Sequence, residues 1–193
     1  MKASNIIELL DNPMYEMADT NWVIEPGNTP KKIKKAYKLF KLKNGGLYPL
    51  FIGKNKETPM NIWLIADFIP TKGYAERPGW HSGILPIAPH LRRKSTGKIN
   101  SNRVWAEVSV SADKDWSKDP EMTKNGITGK VPKDGYYKFK TNKMQGGAWI
   151  ISGALKVNKV LSDFEVSKIL SKAGYPKSEI ENEMHDPEFN GRI

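Results

Sequence analysis

A chain of 193 residues with 31 Lys+Arg against 21 Asp+Glu carries a formal charge of +10, and its length suits one ordinary domain that buries roughly two-thirds of its unfolded surface. Hydrophobic residues make up 38% and aromatics 10%, too many for a disordered polycation, so the positive charge belongs on a folded surface. The lack of cysteine excludes disulfides, thiolate-bound zinc, iron–sulfur clusters and a thiol nucleophile, and no window approaches the roughly 18 to 20 apolar residues of a membrane span.

Along the chain, Ser4 caps a predicted helix over residues 4–11, with Ile6, Ile7, Leu9 and Leu10 on one side and Pro13 beyond it. Glu8 and Asp11 make this stretch too charged for a signal peptide. Residues 20–35 contain Pro26, Gly27 and Pro30, then Lys31, Lys32, Lys34 and Lys35, the pattern of a loop that delivers a basic cluster. From Ala36 the alternation of Tyr37, Leu39 and Phe40 with lysines, the Asn44-Gly45-Gly46 turn and the run from Leu47 to Ile52 predict a β-hairpin. Residues 61–69 predict a strand, and 72–102, rich in Pro and Gly with little periodicity, predict one long ordered loop. Three more strands are expected over 103–110, 135–140 and 148–160, the last bending at Gly153. Ser162 and Glu165 form a capping box that starts a helix ending near Gly174, with Phe164, Val166, Ile169 and Leu170 turned towards the last strand. The sum is an α+β fold: an antiparallel or mixed central sheet, helices at the two ends and one long loop. It divides into a helical and loop appendage (1–35), a core domain (36–176) and an acidic tail (177–193), the tail having five acidic residues against two basic ones.

Nine lysines and no acid lie between Lys31 and Lys56, and five more Lys/Arg without an acid lie between Ala88 and Arg103. Brought together, these blocks would make the electrostatic footprint of nucleic-acid binding, and Tyr37, Phe40, Tyr48, Trp80 and Trp105 are candidates for base stacking. A solvated lysine-rich face would read the same way. The predicted contacts to nucleic acid are Lys31, Lys32, Lys34, Lys35, Lys38, Trp80, Arg92, Arg93, Arg103 and Lys140.

The densest chemistry is YAERPGWHSGILPIAPHLRR, residues 74–93, with His81, His90, Arg77, Arg92 and Arg93. Imidazoles titrate near neutral pH and arginine presents a forked donor set to phosphate. Together they suit metal-independent phosphodiester transfer: one group takes the proton of a ribose 2′-hydroxyl, a second protonates the leaving oxygen and a cation stabilises the phosphorane. A histidine beside a tryptophan also serves as a packed loop anchor. Two histidines nine positions apart, with Glu76 as the segment's carboxylate, make a poor zinc set, so no metal site and no cofactor are expected. Glu107, on the same strand face as Trp105, fits either a general base or a solvent-facing partner of a lysine. Thr141, close to Lys138, Lys140 and Lys143, could bind phosphate or lie on an ordinary sheet edge. No glycine loop matches a nucleotide-binding fingerprint.

The segments YKLFKLKNGGLYPLFIG, ERPGWHSGILPIAPHL, RVWAEVSVSADKDW and GYYKFKTNKMQGGAWIISGALKVNKVLS together resemble a domain of phage and mobile-element polyvalent proteins. The likeness covers roughly residues 36–165. Through it the chain resembles the Barnase, EndoU, colicin and RelE-like nuclease group. The resemblance implies helices on a four-stranded antiparallel sheet, RNA cleavage without metal and action in the cytoplasm of a bacterial host. Under it, His81 would be the catalytic histidine, Arg77 the phosphate-binding arginine and Thr141 a third candidate. Two other readings stay open: an ADP-ribosyltransferase-like enzyme that uses NAD and Glu107, and a non-catalytic inhibitor that grips RNA or a host protein or ribonucleoprotein complex.

Overall fold

The computed structural model describes residues 23–66, 79–118, 134–140 and 147–184. The helix expected over 4–11 lies outside them. Among the described residues nine strands form one sheet: β1 (Ile33–Lys43), β2 (Gly46–Tyr48), β3 (Trp63–Ile65), β4 (Trp80–Gly83), β5 (Arg103–Ser111), β6 (Lys114–Asp115), β7 (Gly135–Lys140), β8 (Ala148–Ser152) and β9 (Ala154–Val160). Two helices follow, α1 (Asp163–Lys172) and α2 (Lys177–Glu181). The architecture is the α+β class expected, with a mixed sheet, because β6 runs parallel to β7 and the other ladders are antiparallel.

The hairpin forms where its turn demands it. Asn44 and Gly45 take φ of 51° and 80°, the paired left-handed conformation whose twist matches that of antiparallel strands. Its first strand starts earlier than expected, inside the stretch read as a loop. β1 then pairs with β5 from Ile33↔Ser111 to Lys41↔Arg103, β5 pairs with β9, and β9 runs back through Gly153 into β8, the bend expected there. β8 pairs with β4, and β4 returns to β1 at Tyr37↔Gly83. The ladders form one open path, β3-β9-β5-β1-β4-β8-β7-β6, with β2 beside β1.

The sheet has two unequal faces. Inside, Ala36 and Phe40 of β1 meet Val104, Ala106, Val108 and Val110 of β5, Leu155 and Val157 of β9, and Trp80 and Ile150. Outside, Tyr37, Leu39 and Trp105 are covered by Ile87, Ala88, Ile99, Val166, Leu170 and Ile180. The long loop is thus part of the outer core, and it differs from the expectation in containing β4: His81 sits on a strand paired with Ile151. Pro and Gly mask this strand in the sequence because it is only four residues long.

The capping box is present in full, with Ser162 and Glu165 exchanging side-chain and backbone hydrogen bonds. Val166 and Leu170 are buried, but Phe164, expected to pack with them, is 75% exposed, because it lies on the side of α1 turned to solvent. The acidic segment also contributes to the core: Glu183 is 0% exposed. Its carboxylate accepts from the Ala88 amide at 3.2 Å, Arg92 Nε at 2.8 Å and the Trp105 indole at 3.2 Å, with Arg92 Nη2 at 2.7 Å. Arg92 also meets Glu179 at 2.8 Å. One carboxylate thereby ties the long loop, β5 and the segment after α2 together.

Two expectations follow. Leu170→Ala should cost about 2 to 5 kcal/mol in urea unfolding, whereas Phe164→Ala should change stability by less than about 0.5 kcal/mol; equal losses would show that α1 packs on a different face. Burial raises the Glu183 pKa above the ordinary carboxylate value despite Arg92. A carboxyl raised in the folded state contributes its stability below the unfolded value and loses it as pH climbs through the folded value. Arg92→Ala should cost about 3 to 5 kcal/mol at pH 7, and the deficit should shrink towards pH 5 as Glu183 takes up a proton. The same deficit at both pH values would contradict this assignment.

Candidate nucleic-acid interface

Strand alternation divides the nine-lysine block. Lys34 and Lys38 share the inner face of β1 with Ala36 and Phe40, while Lys35, Lys41 and Lys43 lie on the outer face. Acids meet the N-terminal half. The backbone amides of Lys31 and Lys32 donate to Asp113, Lys35 pairs with Glu107 at 3.1 Å, and Lys159, directly across from Glu107, pairs with Glu165. Lys34 Nζ lies 5.1 Å from the centre of the Tyr136 ring.

At the other end of the strand two cations face each other. Lys41 and Arg103 are direct neighbours across the β1–β5 ladder, and Lys43 lies 5.9 Å from the centre of the Tyr48 ring. Arg103 Nη1 donates to the Leu91 carbonyl at 2.7 Å, and burial pushes its pKa down. That bond brings the turn over 93–98 alongside, with exposed Arg93 and Lys94. Glu57 tempers the hairpin side, its carboxylate lying 3.4 Å from the Tyr48 hydroxyl. The two basic blocks therefore meet at this end of β1. Lys41 and Lys43, absent from the predicted contacts, belong to it; their signal was the register of a hairpin strand, which brings Lys41 beside Arg103 only once β5 is in place.

Several predicted contacts have structural partners instead. Arg92 is held by Glu179 and Glu183 with its side chain 10% exposed, outside any exposed patch. Trp80 is buried and donates to the Leu64 carbonyl at 3.1 Å. Tyr37, Phe40 and Trp105 are buried as well, which removes four of the five aromatics considered for base stacking. Lys140 ends β7 opposite Ala148, and its side chain lies outside the described residues.

The chemistry expected at His81, His90, Arg77, Thr141 and Glu107 is partly brought together. His81 lies on the outer face of β4 opposite Ile151, and Trp149, two residues along β8 from Ile151, is its diagonal neighbour. The His90 ring meets Trp149 edge-on at 5.5 Å, and desolvation lowers its pKa. One tryptophan is thus a neighbour of both histidines. Glu107 is two ladders away from β4, at Glu107↔Tyr37 and Tyr37↔Gly83, roughly 10 Å by strand spacing, and is engaged by Lys35. Arg77 and Thr141 lie outside the described residues. Among the described residues no group of three or more His, Asp or Glu side chains is placed to hold a metal ion, and no helix is long and apolar enough to cross a membrane.

Lys38 is the unusual cation. Half-buried on the inner face of β1, its Nζ donates to the His81 carbonyl at 2.9 Å and lies 5.5 Å from the Trp80 ring centre and 5.7 Å from that of Phe40. It occupies the gap where β1 and β4 part after their single paired position, supplying a hydrogen bond that the ladder no longer makes. Comparison of the chain with family models, with curated proteins and with solved structures finds no match.

Burial pushes the Lys38 pKa down to about 8. The folded state then binds fewer protons than the unfolded chain between about pH 8 and the ordinary lysine value near 10.4, so this group adds stability as pH rises across that window. The difference in unfolding free energy between wild type and Lys38→Met should grow with pH from 8 to 10. A pH-independent difference would place the ammonium in bulk water.

Proposed function

We propose that this protein binds RNA through the outer-face end of β1, with Lys41, Lys43, Arg93, Lys94 and Arg103 taking phosphates. The observation that carries this reading is the Lys41–Arg103 pair. Like charges directly opposite in an antiparallel ladder destabilise it, and an anionic backbone relieves that repulsion while releasing its own counterions. The reading predicts affinity that falls steeply with salt, and Lys41→Glu with Arg103→Glu should weaken binding of any RNA sequence by at least about tenfold. Salt-insensitive or undetectable binding of wild type would overturn it.

A second reading, metal-independent RNA cleavage, is favoured by Trp149, which meets the His90 ring and is the diagonal ladder neighbour of His81. A neutral His90 suits the removal of a 2′-hydroxyl proton, His81 in its protonated form suits delivery of a proton to the leaving 5′ oxygen, and Arg103 would stabilise charge on phosphorus. Cleavage of this kind is what the resemblance to the phage and mobile-element nuclease group implies. It should proceed in EDTA and leave a 2′,3′-cyclic phosphate, with His90→Ala and His81→Ala each reducing it by about 10² to 10⁴ fold. Intact RNA after long incubation with folded wild type would leave binding as the whole function.

A further inference from the structure

Four of the five aromatics considered for base stacking are buried, yet the chain exposes a phenylalanine within its basic region. Phe51, in the loop that follows β2, is 69% exposed and Ile52 beside it is 38% exposed. A single exposed apolar side chain is ordinary. This pair differs because its loop is held: Leu50 packs on the outer core, the Lys56 amide donates to Gly53 O at 2.8 Å, and the Thr58 amide donates to Leu47 O at 2.7 Å. Gly53 has φ of 69°, the left-handed conformation that closes the turn at little cost only for glycine. The loop is thus rigid enough to present a ring without ordering it on binding.

Its surroundings select the ligand. Lys41 is the cross-strand partner of Tyr48, and Phe51 follows Tyr48 by three residues, a reach of at most about 10 Å. Lys43 and the exposed Lys54 lie on the same hairpin and loop. Phe164 is the contrasting case: it is more exposed, but it sits between Asp163 and Glu165 at the acidic start of α1, where a phosphate chain is repelled.

We propose that the loop after β2 is a base-stacking platform on which Phe51 takes an unpaired base while Lys41, Lys43 and Lys54 take the flanking phosphates, which makes single-stranded nucleic acid the ligand class in preference to duplex. This rests on the RNA-binding reading above and adds strandedness to it. Bases within a duplex are already stacked and offer no face to an aromatic ring, whereas those of a single strand do. The ring is needed as a π-surface as well as an apolar group, so leucine is not a substitute for it.

The test is fluorescence anisotropy of wild type, Phe51→Ala, Phe51→Leu and Phe51→Trp with a single-stranded RNA, with the same RNA annealed to its complement, and with vesicles containing phosphatidylserine. Wild type should prefer the single strand. Phe51→Ala and Phe51→Leu should each weaken single-strand binding about 5- to 100-fold, the size of one lost base stack, while Phe51→Trp retains it and duplex binding barely changes. Since Phe51 is solvent-exposed, these variants should fold as wild type does. Equal binding of single strand and duplex, unchanged in Phe51→Ala but lost in Lys41→Glu with Arg103→Glu, would overturn the platform and leave RNA binding standing. Retention by Phe51→Leu would overturn it too, as would loss of vesicle binding alone in Phe51→Ala, which would make the loop a lipid anchor. No RNA binding by wild type would remove both readings.

Discussion

A carboxylate sealed from water sets the constraint on which the outer half of this protein depends. Glu183 receives donors from two separate stretches of chain: the Ala88 amide and the Arg92 guanidinium of the long loop, and the Trp105 indole of β5. Removing an ion pair from water costs several kcal/mol per charge, and mutual attraction repays this only when the remaining lone pairs are also satisfied. Here burial still outweighs Arg92 in its effect on the carboxyl. The network is therefore better described as a demand for one geometry than as a large source of stability. If α2 moved away, an unpaired guanidinium would remain beneath the loop. The Ile99 amide, donating to Asn182 O at 3.0 Å, adds a second tie to the same place.

That geometry carries through to the surface. With Ala88 and Arg92 fixed, the short helical turn Pro89–Leu91 between them has little freedom. It therefore holds the His90 ring against Trp149 on one side and offers the Leu91 carbonyl to Arg103 on the other. The fold thus couples an imidazole and a guanidinium through three residues, although neither touches Glu183. A long loop without a sheet partner along most of its length can position chemistry only in this way, by having its backbone groups taken up one at a time.

What could be read in the sequence depended on how locally each feature is determined. The capping box at Ser162 and Glu165, the Asn44-Gly45 turn and the bend at Gly153 are each determined by neighbouring residues, and each is present. β4 was not legible: four residues bounded by Gly79 and Gly83 give alternation too little length to register. The polar partners were hidden for a different reason. Glu107 lies 72 residues from Lys35 and Glu183 lies 91 residues from Arg92, so an acid-free stretch of sequence did not imply an acid-free surface. Burial of the aromatics was equally obscure, because alternation assigns Tyr37 and Phe40 to opposite faces of β1 without revealing that both faces are covered. Arg77 and Thr141, on which the resemblance to a nuclease group leans, lie outside the described residues.

The same logic explains why a charge of +10 has a direction. At the Ile33 end of β1 each cation acquires a neighbour that lowers its field, a carboxylate for Lys35 and an aromatic face for Lys34. A cation over a ring gains attraction without losing its charge, so Lys34 keeps its charge while becoming less available to a partner. At the Lys41 end the cross-strand neighbour is another cation, and like charges directly opposite on a ladder destabilise it. The gradient along one strand runs from compensated to uncompensated, and it falls off within about 10 Å in physiological salt. Under the proposed RNA-binding reading, a polyanion would therefore be captured at the hairpin end, beside the loop that holds Phe51 in solvent.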